Sequence, residues 1–176
     1  MSESIRFDIT VHTGCDRLQN RSLRAAAAVC LKNAVGGKAS IFWPGDIVAD
    51  GGNAASVSCA ANDGGAVLSF EIDPAYAREG LKDELEAALN EMAAGFPENN
   101  ADIIQQYCNS LQTLMKFVDT TYRGMPVYGF AFAVDKFGGL MVMTQASRSV
   151  VTVYNGRAEL AKDEPQQPDM PFMPRV

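Results

Sequence analysis

The sequence lacks most of the patterns that would assign a chemistry directly. It has one histidine, His12, and four cysteines, Cys15, Cys30, Cys59 and Cys108. No two cysteines stand as Cys-x-x-Cys, and His12 is not at ligand spacing to any of them. This excludes the common structural zinc patterns and leaves the thiols as small buried hydrophobes. No apolar run approaches the ~20 residues of a membrane-spanning helix. The first residues, Met1-Ser2-Glu3-Ser4, lack the basic and apolar regions of a secretory leader, so the expected location is the cytoplasm. Cations are also in deficit: 15 Lys and Arg face 21 Asp and Glu, for a net charge of -6. That balance argues against a nucleic-acid partner and against an anionic membrane surface. Between Lys38 and Arg78 there is no Lys or Arg, whereas Asp46, Asp50, Asp63, Glu71 and Asp73 all fall in that stretch.

What is present is ordinary for a globular chain: 176 residues, 47% hydrophobic and 20% charged, enough for one good core. Ile5, Phe7, Ile9 and Val11 alternate with Arg6, Asp8, Thr10 and His12, the pattern of a half-buried strand. Asp16 or Asn20 is placed to cap a helix running to Val35, with Leu23, Ala27, Cys30, Leu31 and Ala34 on its apolar face. Gly36-Gly37 ends it. Short strands are expected at 39–42, 47–49, 55–60 and 66–72, the last three joined as hairpins by Asp50-Gly51-Gly52 and Asn62-Asp63-Gly64-Gly65. Leu81, Leu85, Ala88, Leu89 and Met92 predict one helix. Ile103, Ile104, Tyr107, Leu111, Leu114, Met115 and Val118 predict a second. The period then returns to two at 127–134, 140–144, 150–154 and 158–160, which suits a small SH3-like barrel.

The expected fold class is therefore α+β: a mixed sheet with packed helices, followed by a small C-terminal SH3-like β-barrel. Residues 1–122 would form the α+β domain, 123–162 the barrel, and 163–176 a Pro-rich tail carrying Pro165, Pro168, Pro171 and Pro174. Phe172 and the methionines beside it would dock on a groove, of this chain or of a second subunit.

One pentapeptide gives these elements a resemblance. Phe42-Trp43-Pro44-Gly45-Asp46 resembles the Lys-Trp-Pro-Asn-Asp signature of biotin protein ligases, with phenylalanine at the lysine. The helix at 23–35 parallels the one before that signature. The strand Ala66-Val67-Leu68-Ser69-Phe70-Glu71-Ile72-Asp73 falls where the family has an apolar strand ending in Gly-x-Gly-x-Asn. Arg123-Gly124-Met125-Pro126-Val127, the hairpin at 129–140 and the closing strand at 155–160 resemble the family's C-terminal module. The resemblance implies a biotin or lipoate ligase-like fold, truncated before the N-terminal biotin loop. It also implies ligand positions at Trp43, Asp46, Asn53, which falls at a second lysine, and Asp73, which falls at an adenine-binding asparagine. Biotin, ATP and magnesium would be the ligands if ligase function is retained.

The departures bear on chemistry. Forming an acyl-adenylate brings a carboxylate against a phosphate, and cations must screen the two anions. The signature lysine is Phe42, the second is Asn53, and the close-approach glycines are Ser69 and Glu71. No Gly-Arg-Gly loop occurs. The expectation is a degenerate, non-catalytic ligase-like protein, a pseudoenzyme acting as a binding or regulatory module, with no catalytic residue and no metal ligand assigned. The alternative is one half of a split biotin or lipoate ligase completed by a partner chain. The expected partner is a second copy, in a homodimer, or such a complementary ligase fragment, met through a bare sheet edge.

Overall fold

A computed structural model describes residues 3–161 of the chain. The expectations for the tail at 163–176, and for Phe172 in particular, lie outside the described residues.

Period-two alternation builds the first sheet. β1 (Ile5–His12) pairs with β5 (Gly65–Ile72), β5 with β4 (Gly52–Asn62), β4 with β3 (Asp46–Ala49), and β3 with β2 (Ser40–Phe42), giving the order β1-β5-β4-β3-β2. Every pairing is antiparallel, which corrects the expected mixed sheet. The physical reason is local: β2 to β5 form a meander in which each tight turn reverses the chain. The long connection after β1 crosses the helix side to reach β2 at the opposite edge. The parallel contact is an isolated bridge, Ile41 to Leu111.

That connection holds α1 (Arg17–Asn20) and α2 (Leu23–Val35). Asp16 caps α1 in a capping box with Gln19, satisfying N–H groups that a helix start leaves free. The helix does not run on unbroken. Asn20 is fully buried and is used sideways: its Nδ2 donates to Cys15 O (3.0 Å) and Asn62 O (2.8 Å), and its Oδ1 accepts from Thr13 (2.6 Å). A buried amide needs such partners, and here they tie the β1–α1 loop to the β4–β5 turn. In α2, Ala25 to Ala28 are buried, small enough for close approach to both the sheet and the next helices. Gly36, at φ 75°, ends it, a conformation open to glycine.

α3 (Leu81–Ala94) buries Leu81, Leu85 and Leu89, and α4 (Asn100–Ser110) buries Ile103 and Tyr107. The predicted second helix stripe through Val118 stops short. Leu111 is extended, Gln112 N donates to Ile41 O (2.8 Å), and Met115 has φ 59°. β6 (Lys116–Tyr122) follows, with Val118 and Thr120 inward. Leu111, Leu114 and Val118 fit a 3.6-residue period by chance, and the β-branched run Val118, Thr120, Thr121 is the stronger signal.

β6 pairs with β7 (Met125–Val134), β7 with β8 (Leu140–Thr144), β8 with β9 (Val150–Val153), and β6 also with β10 (Glu159–Leu160). The second sheet is antiparallel in the order β10-β6-β7-β8-β9. Among the described residues β9 and β10 do not pair with each other, so the strands form an open sheet where a closed barrel was expected. β6 falls within positions 1–122 yet pairs with β7. Among the described residues no helix is long and apolar enough to cross a membrane.

Candidate functional site

With the helices on one face of the first sheet, its other face is polar, and the register aligns its side chains. Arg6 stands opposite Glu71, Glu71 opposite Ser56, and Ser56 opposite Asp46. One row therefore crosses β1, β5, β4 and β3, since directly opposed residues share a face. Asp8, Ser69 and Ser58 form a second row beside it. These rows line an open cavity of about 470 Å³, to which Pro44, Gly156 and Arg157 also contribute. The last two come from the β9–β10 connection, so the second sheet helps to build the site.

Both arginines of this cleft lie beside an acid. Arg6 Nη2 donates to Glu71 Oε1 at 2.8 Å, and Ser4 Oγ donates to the same oxygen at 2.7 Å. Hydrogen bonding from Arg6, then from Ser4, holds the Glu71 carboxyl below the usual range. Arg157 Nε lies 3.4 Å from Asp46 Oδ2. Asp46 moves the other way: burial raises its pKa and Arg157 offsets part of the rise. Among the described residues no three His, Cys, Asp or Glu side chains converge as a metal site. The two arginines that line the cleft each lie beside an acid.

The turn at 42–46 holds this cleft from below. Trp43 is fully buried. Its backbone N donates to Thr113 Oγ1 (2.9 Å), its indole Nε1 to Gly138 O (3.1 Å), and the Arg24 guanidinium sits 5.4 Å over its ring. Tyr107 donates its hydroxyl to Pro44 O at 2.8 Å. Trp43-Pro44 thus fastens the β2–β3 turn to α4, to the segment before β6, and to the β7–β8 turn. Gly45 lies so near β4 that a Cβ would stand 2.6 Å from Val57 O.

Of the four positions named from sequence, Asp46 lines the cleft, whereas Trp43 is buried in the core and does not line it. Asn53 sits at the β3–β4 irregularity. With its amide turned to suit its neighbours, it donates to Ile47 O (3.1 Å) and Ala55 O (3.2 Å). Asp73 closes a turn after β5, its Oδ1 accepting from Ala75 N at 2.8 Å. Neither Asn53 nor Asp73 lines the cavity. Sequence reasoning missed Arg6, Asp8 and Arg157. The alternation of β1 already put Arg6 and Asp8 on the polar face, but their meeting with Glu71 and Ser69 depends on register. Arg157 carries no local signal at all.

No protein-family model and no curated protein matches the chain. Solved structures do. The biotin protein ligase of Aquifex aeolicus superposes with a TM-score of 0.65 at 14% identity, over 93% of this chain and 84% of that one. The same enzyme in complex with biotin and ATP gives 0.63 at 13% identity, over 93% and 80%. A biotin protein ligase-like protein of unknown function from Silicibacter gives 0.68 at 10% identity, over 87% and 79%. At these identities the likeness is one of fold. In its two antiparallel sheets and packed helices, this chain has the fold of the biotin protein ligases.

Proposed function

We propose that the chain is a degenerate ligase-fold protein that does not form an adenylate, and that its sheet-face cleft serves as a binding or regulatory site. The observation that carries this reading is the pairing of Arg6 with Glu71 and of Arg157 with Asp46. An adenylating site needs cations free to screen a carboxylate meeting a phosphate. Here Arg6 and Arg157 are matched by Glu71 and Asp46, and Asp8 adds a further acid. A fold does not carry a chemistry once the groups that performed it are replaced. The second sheet, read as the counterpart of an SH3-like cap, contributes Arg157 as the wall of this site. The ligand is a small neutral or weakly charged molecule, with serine hydroxyls at 56, 58 and 69 as its polar contacts. Calorimetry with biotin, lipoate, ATP and the two acyl-adenylates tests retention of a family ligand. A response to none of them removes the retention of a family ligand.

The protein works in the cytoplasm as a homodimer, through β1. This eight-residue strand pairs only with β5 among the described residues, and its other edge offers unpaired backbone groups. The same open edge supports the second reading, a partner chain that completes a split ligase. Light scattering on the purified chain and co-purification from native extract separate the two. A dimer of one chain favours the first reading, and a smaller Gly-Arg-rich partner favours the second.

A further inference from the structure

A second cavity, of about 200 Å³, shares no lining residue with the sheet-face cleft. Arg17, Arg21 and Arg24 all line it, at spacings of four and then three, so the α1–α2 segment presents all three to one side. Its other walls include Cys59 on β4 and the aromatic rings of Phe137 and Tyr154. Arg21 stacks 5.0 Å over the Tyr154 ring, and Arg24 Nη2 donates to Tyr154 O at 3.1 Å. The Arg24 guanidinium is thus fixed on two sides, by that carbonyl and by the face of Trp43.

Among the described residues none of these three guanidinium groups lies in an ion pair. Two acids on adjoining segments bind other donors. Asp63 takes the backbone N–H of Arg17, at 2.9 Å. Asp135 accepts from the Tyr154 hydroxyl and from the N–H groups of Phe137 and Gly139. Cys59 supplies no anion, because burial pushes its thiol up to about 11. Burial works most strongly against the charge on Arg24, Tyr107 and Cys59 offset part of that, and Arg21 adds a smaller opposing effect. Yet arginine does not deprotonate in proteins. Arg17 is exposed and Arg21 half-buried, so the cost of an unpaired charge falls on the mostly buried Arg24, and three guanidinium groups without a direct ion-pair partner favour an anion supplied from outside.

We propose that Arg17, Arg21 and Arg24 form a binding site for a phosphate group, as free phosphate or as a small phosphomonoester. Planar guanidinium groups match the oxygens of phosphate with paired N–H donors. A dianion answers three cations better than a single carboxylate does. At ~30 Å³ per water, the cavity has room for roughly six or seven waters, which suits a phosphate with a short organic remainder. The aromatic walls favour a ring on that remainder. This site is independent of the reading given to the sheet-face cleft.

The test is titration calorimetry of the full chain with inorganic phosphate and with phenyl phosphate, at constant ionic strength set by chloride. Saturable one-site binding is expected. It should weaken about tenfold or more in Arg21→Gln and in the double variant Arg17→Gln/Arg21→Gln, and stay unchanged in Arg157→Gln, which alters only the other cleft. Tighter binding of phenyl phosphate than of phosphate would assign the ester as occupant. Arg24→Gln removes the stacking on Trp43 and carries a folding risk, so the proposal is read from the Arg17 and Arg21 variants, with circular dichroism confirming their fold. Absence of heat above the chloride baseline would overturn the assignment. So would equal phosphate affinity in the wild type and the double variant.

Discussion

Arg157 Nε stands 3.4 Å from Asp46 Oδ2, joining the β9–β10 connection to the strand that opens after the Trp-Pro-Gly turn. Arg157 is largely exposed, so the contact contributes little stability, on the order of 0–1 kcal/mol. Its consequence is electrostatic: an arginine facing the cleft is neutralised by the cleft's own aspartate.

Burial raises the pKa of Asp46, so the folded state holds its proton more tightly than the unfolded chain does. Stability is then lost as pH rises from the unfolded value, about 3.9, through the folded one. Asp46→Asn is expected to stabilise the protein slightly at pH 7, by less than about 1 kcal/mol. The gain should vanish as pH falls toward ~4. Urea denaturation at several pH values measures it.

Glu71, two strands away in the same row, should give the opposite sign. Arg6 and then Ser4 lower its pKa, so its contribution is present above the unfolded value of about 4.3 and is lost as pH falls through the folded one. Glu71→Gln is expected to lower the melting temperature at pH 7 and to match the wild type in acid. Both side chains are largely exposed, so the change should be small, and a higher melting temperature in the variant at pH 7 would contradict the sign.

Trp43 joins the first sheet to the β7–β8 turn and to the segment before β6. Trp43→Ala should cost about 3–5 kcal/mol. Trp43→Phe keeps most of the bulk but leaves Gly138 O without its indole donor, and should cost about 1–3 kcal/mol. Chemical denaturation followed by circular dichroism gives both values.

Gly45→Ala tests the close approach of the turn to β4. The added Cβ meets a backbone oxygen 2.6 Å away, so the strand itself must shift. The expected loss is about 1–3 kcal/mol, with altered amide shifts at Val57 in an NMR spectrum.

The sequence was most legible where one period dominated. Ile5 to His12 alternates without a fault, and the strand is there with Ile9 and Val11 inward. Gly36 ends its helix as expected. Legibility failed where a residue's role depends on a distant partner. Asn20 reads as a cap from its neighbours alone, but it is a buried bridge to Asn62, 42 positions on. Val118 continues a helical stripe in sequence but pairs with Gly129 in a sheet. The candidate site shows the same division. Asp46 was found through its motif. Arg6 and Arg157 reach the cleft through strand register and through the docking of the second sheet, which local sequence does not encode. The lack of cations between Lys38 and Arg78 was visible, but the arginines that fill part of that gap come from outside the stretch.

The central claim is that a ligase-like fold persists here without the charges that activate a carboxylate. ATP–pyrophosphate exchange with biotin or lipoate, with magnesium present, measures that activation directly. The account predicts no exchange above background with either acid. Exchange that depends on biotin or lipoate would contradict it.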